Sequence, residues 1–399
     1  MKKKIFFLIS FKLTKIHYEK FDIAEFENKY NFEIEVHEIG KFINPSLEKV
    51  LKKNFNYKNS KTFNTFTQWK SYIKDALSNQ KSNIYVINTI GSQNLNSIRV
   101  NYFLKRSKFL KTIEFSKHVH PFYESTPFEL GRLIHFIKTI LFSFTKVQIY
   151  LNSKISNFLQ TNLKIFPDYL IKTGDKKEFL KQKKFGVTLL CGNSFDYNLY
   201  LKNNINLNIK KSKIGIYLDS PTPIYDNDNL LVGDKRNIFG TPNKWYASLN
   251  KFFSYIEKIK DIKILIAPHP KVKYEKKNLI YFYNREFSDQ PLVKSAQSSS
   301  VIIGRNSAGF SFAAIYKIPA IFVYSDELKD KKNIFMHEQK LYAAEMGLKP
   351  FNIDENYSEE KINQLFNFKN DKYQNFSEKY LSSRKDKKIN YQIISDLIN

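Results

Sequence analysis

The stretch from residue 262 to residue 324 constrains the fold of this chain more than any other. It contains two short apolar runs, residues 262–267 and 301–304, and each run ends at a polar corner, His269 after the first and Arg305 after the second. Short apolar runs without alternation are typical of strands that are buried on both faces of a parallel sheet. Open α/β sheets bind ligands beyond the carboxyl ends of their strands. We therefore expect the two corners, on neighbouring strands, to share one ligand.

The same pattern recurs along the chain and predicts an α/β fold. Apolar runs predict strands at 5–9, 32–37, 83–88, 167–174, 185–191, 213–218, 262–267, 280–282, 301–304 and 320–324. Helical spacing predicts helices at 64–79, 130–151, 245–259, 290–296, 307–317, 358–368 and 378–397. Alternation of this kind favours right-handed parallel sheets.

A polar, Lys-rich stretch at 203–213 reads as a linker between two α/β halves. The predicted domains are residues 1–205 and 206–370, both Rossmann-like and facing a cleft. Residues 371–399 are predicted to form a terminal helix that packs back on the first domain.

The charge of the chain leaves its partner open. Its 65 Lys and Arg against 38 Asp and Glu give a net charge of +27, which favours phosphates, nucleic acid or anionic lipid. However, Lys, Asn, Ile, Phe and Tyr are abundant together, as an AT-rich genome would encode for any protein. The basic and aromatic residues also match no RNA-binding module, which argues against nucleic acid as the partner.

The single cysteine, Cys191, excludes an internal disulfide and fits a reducing cytoplasm. We read the apolar run 5–9 as a strand, because it is short and lacks the cleavage site of a signal peptide. The helix predicted at 130–151 has two interpretations: burial against the sheet, or an amphipathic helix on an anionic membrane surface. The predicted location is cytoplasmic, with peripheral contact at the inner face of the cytoplasmic membrane under the second interpretation.

The corner after residue 304 has the residues of a phosphate site. Ser307 is at the N-cap of the predicted helix, where serine also serves a purely structural role. The backbone N–H groups of Ala308 and Gly309, with the hydroxyls of Ser307 and Ser311, would hold a phosphate on the positive end of the helix dipole. Arg305 and Asn306 complete this predicted site.

His269 is flanked by two prolines and would therefore be held stiffly. Its imidazole would donate to a phosphate or act as an acid, with Pro270 and Lys271 completing the corner; a histidine packed in a turn is the alternative.

The best candidate base is Asp219, which follows the strand at 213–218. A solvated turn aspartate is the alternative, and Asp226 and Asp228 are rivals. Asp196 and Tyr197, in the first half of the chain, are a weaker pair predicted to face the cleft. The cluster of His118, His120 and Glu124 reads as a surface loop, so no metal site is predicted.

Several blocks, in this order, resemble a known family. The blocks are S-F-D-Y-N-L-Y-L-K, I-Y-L-D-S-P-T-P-I-Y-D, W-Y-A-S-L-N-K-F-F, I-L-I-A-P-H-P-K and N-S-A-G-F-S-F-A-A-I-Y-K-I-P-A-I. They are similar to blocks of bacterial surface-polysaccharide glycosyltransferases of the GT-B type, the transferases for capsule, lipopolysaccharide or O-antigen sugars that carry a His-Pro motif. The chain departs from that pattern at Ala308, where a second hydroxyl residue is common.

The resemblance implies a metal-independent glycosyltransferase of cell-envelope biosynthesis without a cofactor. Its second half would bind a nucleotide-sugar donor through His269 and Ser307, and its first half would bind a glycan or lipid-linked glycan acceptor. Two other enzymes share this architecture, a nucleotide-sugar epimerase and a polyol-phosphate transferase. The nucleotide, the sugar and the stereochemistry of transfer stay open.

Overall fold

The computed structural model describes residues 3–43, 45, 55–78, 83–91, 94–116, 144–174, 183–203, 212–220, 223–224, 240–269, 274–329 and 334–399. Its strands are β1 Lys4–Ile9, β2 Glu33–Glu38, β3 Ser60–Thr62, β4 Ile84–Asn88, β5 Leu110–Phe115, β6 Tyr169–Thr173, β7 Thr188–Gly192, β8 Ile214–Leu218, β9 Lys263–Ala267, β10 Val301–Gly304, β11 Ala320–Tyr324 and β12 Phe351–Asn352. Its helices are Lys15–Lys20, Ile23–Tyr30, Gly40–Ile43, Phe66–Ser78, Leu95–Arg106, Phe144–Asn162, Phe195–Asn203, Pro242–Lys260, Lys276–Leu279, Leu292–Ser298, Ser311–Tyr316, Ile334–Glu345, Glu359–Leu365, Asn370–Phe376 and Asn390–Ile398. Within these ranges every helix is too short or too polar to cross a bilayer.

The chain forms two compact units, each built on one parallel sheet. It passes from the first unit to the second at Gly192–Asn193 and returns at Ser383–Arg384. The first sheet has the strand order β3-β2-β1-β4-β5-β6-β7, and the second has the order β12-β11-β10-β8-β9. In both sheets every recorded strand pair is parallel. Each unit is therefore Rossmann-like, as the alternating apolar runs and helical patterns predict.

The apolar runs form buried strands because both faces of each sheet are covered. In β1, residues Ile5, Phe6, Phe7, Leu8 and Ile9 are all fully buried. In the second unit the alternate residues of β8 and β10 enter two separate cores. Ile216 and Ile302 face one core, while Tyr217 and Ile303 face the other, which contains the buried face of the helix Pro242–Lys260. A continuous apolar run thus serves two cores at once.

The unit boundaries differ from the predicted residues 205 and 370. The helix Phe195–Asn203 belongs to the second unit, where it packs against the helices Leu292–Ser298 and Ser311–Tyr316. The chain from Arg384 onward belongs to the first unit, where the helix Asn390–Ile398 packs against Ile23–Tyr30.

Two predicted elements are wrong. Residues Ile280–Phe282, predicted as a strand, form a 3-10 turn that continues the helix Lys276–Leu279. Phe282 is buried there but Ile280 is exposed, so the apolar run is too short to distinguish a strand from a turn. The single helix predicted at 378–397 is broken, because Ser382 leaves helical geometry to bridge Asn193 and its hydroxyl donates to the Asn193 side chain at 2.7 Å. Of the helix predicted at 130–151, residues 130–143 lie outside the described ranges.

Candidate functional site

The order of the second sheet places one pair of strand ends at a topological switch point. From β8 the chain crosses first to β9 on one side and then to β10 on the other side of β8. The predicted corners after β9 and β10 are therefore not on neighbouring strands, since β8 lies between them. The crevice at such a reversal is where open α/β sheets bind ligands. It lies between the ends of β8 and β10, where Leu218 pairs with Gly304 and the next residues are Asp219 and Arg305.

Asp219 lies at this switch point with both carboxylate oxygens engaged. Its side chain is buried, and its backbone N–H donates to Ala267 O on β9 at 3.1 Å. The Tyr246 hydroxyl donates to Oδ1 at 3.1 Å and the Tyr274 hydroxyl donates to Oδ2 at 2.5 Å. A carboxylate held in this way is well placed to anchor its surroundings and poorly placed to accept a proton from a substrate.

Burial controls the ionisation of Asp219. Loss of hydration raises the pKa of its carboxyl to about 6, against the lowering effects of the Tyr274 hydroxyl, the Ser220 N–H, the Tyr246 hydroxyl and the Arg305 charge. The same burial, together with the negative carboxylate, raises the pKa of Tyr274 above its ordinary value and keeps its hydroxyl protonated. Near neutral pH the pair is thus an ionised carboxylate and a neutral phenol that donates to it.

Tyr274 also connects Asp219 to the His269 corner. The Tyr274 oxygen accepts from the backbone N–H of His269 at 2.9 Å while its own proton goes to Asp219. Its ring packs edge-on against Phe282 and Phe287, with centroids at 6.0 and 5.3 Å. The half-buried His269 is therefore fixed through its backbone by a tyrosine that the core holds in place.

Arg305, the residue after β10, is buried and shares this neighbourhood. Its guanidinium lies 4.9 Å from the centroid of the Trp245 ring, a cation–π distance. Its positive charge acts on both Asp219 and Tyr217. Its carbonyl oxygen accepts from Gln339 Nε2 at 2.8 Å, and the same amide donates to Val323 O on β11 at 2.8 Å. One buried amide therefore joins the ends of two strands beside the arginine.

The turn after Arg305 is capped by its own serine. Ser307 is the N-cap of the 3-10 turn Ala308–Phe310, as predicted, and its Oγ accepts from the Gly309 N–H at 3.2 Å. The Phe310 N–H donates to Ser307 O at 3.2 Å. The predicted phosphate donor at Gly309 is therefore already bonded within the turn. A Cβ at Gly309 would lie 2.7 Å from a Leu292 methyl, so a larger residue here would have to displace that side chain.

Other predicted site residues lie elsewhere in the second unit. Ser311 is fully buried and donates to Asp196 Oδ2 at 2.7 Å, so this pair links two helices of one unit. Asp196 and Tyr197 were expected in the first half, but their helix belongs to the second unit. The exposed Asn306 donates to Glu338 at 3.4 Å.

Some predicted residues cannot be placed. Outside the described ranges lie Pro270, Lys271, Asp226, Asp228, His118, His120 and Glu124. Within the described ranges no group of three metal-ligating side chains occurs.

The sequence reasoning missed Tyr246, Tyr274 and Gln339, which connect the predicted corners. Each follows a different strand, Tyr246 after β8, Tyr274 after β9 and Gln339 after β11, so no local motif contains them together. One local signal for an aromatic environment around Asp219 was present. Tyr217 precedes Asp219 by two residues, and side chains two residues apart along a strand face the same side.

Comparisons with known proteins identify the fold. No protein-family model and no curated protein matches the chain. Among solved structures, it is similar to the wall teichoic acid polymerase TagF, with a TM-score of 0.53 and 14% identity over 100% of this chain and 88% of that one. It is also similar to the UDP-GlcNAc 2-epimerase of Methanocaldococcus jannaschii (TM-score 0.47, 15% identity, 93% of this chain and 95% of that one).

A third similar structure is the S. aureus MnaA–UDP complex, with a TM-score of 0.47 and 12% identity over 100% of this chain and 95% of that one. The predicted fold class, α/β with two Rossmann-like domains of the GT-B type, is confirmed.

Proposed function

We propose that this protein is a GT-B-type glycosyltransferase of cell-envelope biosynthesis that binds a nucleotide-sugar donor at the switch point of its second unit. The observation that carries the proposal is the convergence of Asp219, His269 and Arg305 at the carboxyl ends of β8, β9 and β10. Similarity to a wall teichoic acid polymerase supports an envelope role.

In this proposal the residues have different tasks. Arg305 places a buried positive charge beside the donor phosphates, where a low dielectric strengthens its effect on the leaving group. The imidazole of His269 and the hydroxyl of Ser307 contact the phosphates from the two flanking corners. Asp219 positions His269 through Tyr274 rather than acting as the base.

A thermal-shift screen against CMP, UMP, UDP, GDP and CDP tests the donor site. A ligand at 100 times its Kd stabilises the native state by about 2.7 kcal/mol. For a unit of this size that corresponds to a rise in Tm of about 5–11 °C. His269→Ala and Ser307→Ala should each reduce the shift and the turnover of donor. If none of the five nucleotides raises the Tm, the donor-site assignment is wrong.

A second candidate is transfer of a polyol phosphate from a nucleotide-activated polyol. The likeness to a wall teichoic acid polymerase, a variant of which was also solved after a soak with CDPG, supports it. Incubation with UDP-sugars and, separately, with CDP-glycerol distinguishes the two. Glycosyl transfer releases a nucleoside diphosphate from a UDP-sugar, whereas polyol-phosphate transfer releases CMP and adds phosphorus to the acceptor.

A further inference from the structure

The first unit exposes a stripe of large apolar side chains on the helix Phe144–Asn162. Leu151, Ile155 and Phe158 are 49%, 44% and 66% exposed. Spacings of four and three residues place them on one face of the helix. Leu163, directly after the helix, is also exposed. Single exposed apolar residues are common, but a run along one helix face is typical of an interaction surface.

A neighbouring helix extends this surface. The helix Leu95–Arg106 follows β4, the helix Phe144–Asn162 follows β5, and the two helices pack against each other. The strands β4, β5 and β6 are adjacent in that order, so right-handed crossovers place both helices on the same face of the sheet. The first helix exposes Leu95 and Tyr102, and Phe109 is exposed just after it.

Acidic residues are absent from the sequence that forms both helices. No Asp or Glu occurs between Asp75 and Glu114, or between Glu129 and Asp168. The exposed charges among the described side chains of the two helices and the turns after them are all basic, and comprise Arg99, Lys105, Arg106, Lys108, Lys154 and Lys164; of these, Lys105 forms an ion pair with the partly buried Asp168 at 3.1 Å. Arg106 lies over the ring of Tyr102, 5.3 Å from its centroid, and Lys108 lies 5.9 Å from that of Phe109.

We propose that these two helices form a docking surface for an anionic lipid bilayer. Exposed aliphatic and aromatic side chains would enter the boundary between headgroups and acyl chains, and the Lys and Arg side chains would reach the anionic headgroups. Apart from Lys105, whose charge is offset by Asp168, these basic side chains complement such a surface and would be attracted to it. Leu151 and Ile155 offer no π face for a base to stack on, so the surface fits lipid better than nucleic acid.

Vesicle co-sedimentation of the full chain tests this proposal without any substrate, so its outcome is independent of the proposed activity. The protein should bind vesicles that contain phosphatidylglycerol at low salt and stay in the supernatant with pure phosphatidylcholine. The triple variant Leu151→Ser, Ile155→Ser and Phe158→Ser should lower the partition coefficient at least tenfold. Lys108→Glu and Lys164→Glu should each lower it about fivefold or more, because each basic residue contributes about 1 kcal/mol at an anionic surface.

A matched control comes from the second unit, where Ile280 and Tyr283 are 71% and 62% exposed. The double variant Ile280→Ser and Tyr283→Ser removes similar exposed apolar groups and should bind vesicles like the wild type. All variants change exposed side chains, so each should keep its circular dichroism spectrum and its Tm. The proposal is overturned if the wild-type protein fails to bind anionic vesicles, or if the control variant loses as much binding as the triple variant.

The alternative occupant is a second copy of this chain. Suppose that the wild type is a dimer, that the triple variant is a monomer, and that the wild type does not bind vesicles. The exposed apolar stripe would then be an interface between two copies of the chain, and the proposed lipid-binding role would be wrong. Light scattering on the same samples decides this.

Discussion

Asp219 should make the second unit less stable as the pH rises, and replacing it with asparagine should remove that dependence. Burial raises the pKa of this carboxyl from the ordinary 3.8 to about 6 in the folded protein. Between these two values the unfolded chain has already released its proton while the folded chain still holds it. The folded state therefore loses stability as the pH rises from about 3.8 to about 6, and the full loss remains above that range.

The size of this effect follows from the two pKa values. The difference between about 6 and 3.8, at about 1.36 kcal/mol per pKa unit, is about 3 kcal/mol. About half of it, on the order of 1 kcal/mol, develops between about pH 5 and about pH 8. The asparagine side chain of the Asp219→Asn variant would carry no charge but would keep an amide oxygen that can accept a tyrosine hydroxyl. The free energy of unfolding of this variant, minus that of the wild type, should therefore increase by this amount over the same pH range.

Urea unfolding followed by tryptophan fluorescence measures this difference. The chain has two tryptophans, Trp69 in the first unit and Trp245 in the second, and both are fully buried. In a Trp69→Phe background the fluorescence reports the second unit alone, through a side chain close to Arg305. Each protein is unfolded at pH 5, 6, 7 and 8, and the free energies are extrapolated linearly to zero urea.

A carboxylate with the opposite shift provides the control. Burial by itself would raise the pKa of Asp168, but hydrogen bonds from Thr112 and the bond and charge of Lys105 outweigh it and lower this pKa. The difference between Asp168→Asn and the wild type should therefore stay constant from pH 5 to pH 8 and decrease only below the ordinary pKa of 3.8, followed through Trp69 in a Trp245→Phe background. The measured quantity is the free energy of unfolding of Asp219→Asn minus that of the wild type. If this difference is independent of pH, or decreases from pH 5 to pH 8, the conclusion that burial raises the pKa of Asp219 is refuted.

Three further substitutions test the packing around the site. Tyr274→Phe removes a hydrogen bond to a buried carboxylate, which is worth about 1.5–3 kcal/mol, and should lower donor turnover about 10- to 100-fold. As a control, Tyr283→Phe changes an exposed ring and should have no effect on turnover. Ser311→Ala removes the hydrogen bond from a buried hydroxyl to Asp196, so it should lower the free energy of unfolding by about 1–3 kcal/mol while nucleotide binding persists; unchanged stability would contradict this. Gly309→Ala brings a methyl to 2.7 Å from a leucine side chain and should destabilise the second unit by about 1–3 kcal/mol, measured as a lower Tm.

The strands and their polar corners could be predicted from the sequence because their signal is local. A buried parallel strand needs a continuous apolar run, and the runs at β1, β8, β9, β10 and β11 are all present in the chain. The N-cap role of Ser307 is equally local, since it depends on the next two residues. Elements with weak local signals were not predicted, among them β3 and β12, which are only three and two residues long.

The order of the strands could not be predicted, and it decides which corners are adjacent. Sequence order suggested that the corners after β9 and β10 are neighbours, whereas β8 separates them and brings Asp219 beside Arg305. The bond from Ser311 to Asp196 depends in the same way on packing between helices far apart in sequence.

The sequence by itself thus determined the α/β class, most strand positions and the polar residues at the strand ends, because these follow from local hydrophobic patterns. Only the tertiary structure decided what those residues do to each other. It buried Asp219, bound both of its oxygens to tyrosines, and connected it through Tyr274 to His269. Hydration and hydrogen bonding of a side chain depend on every element packed around it, and no stretch of the chain alone contains that information.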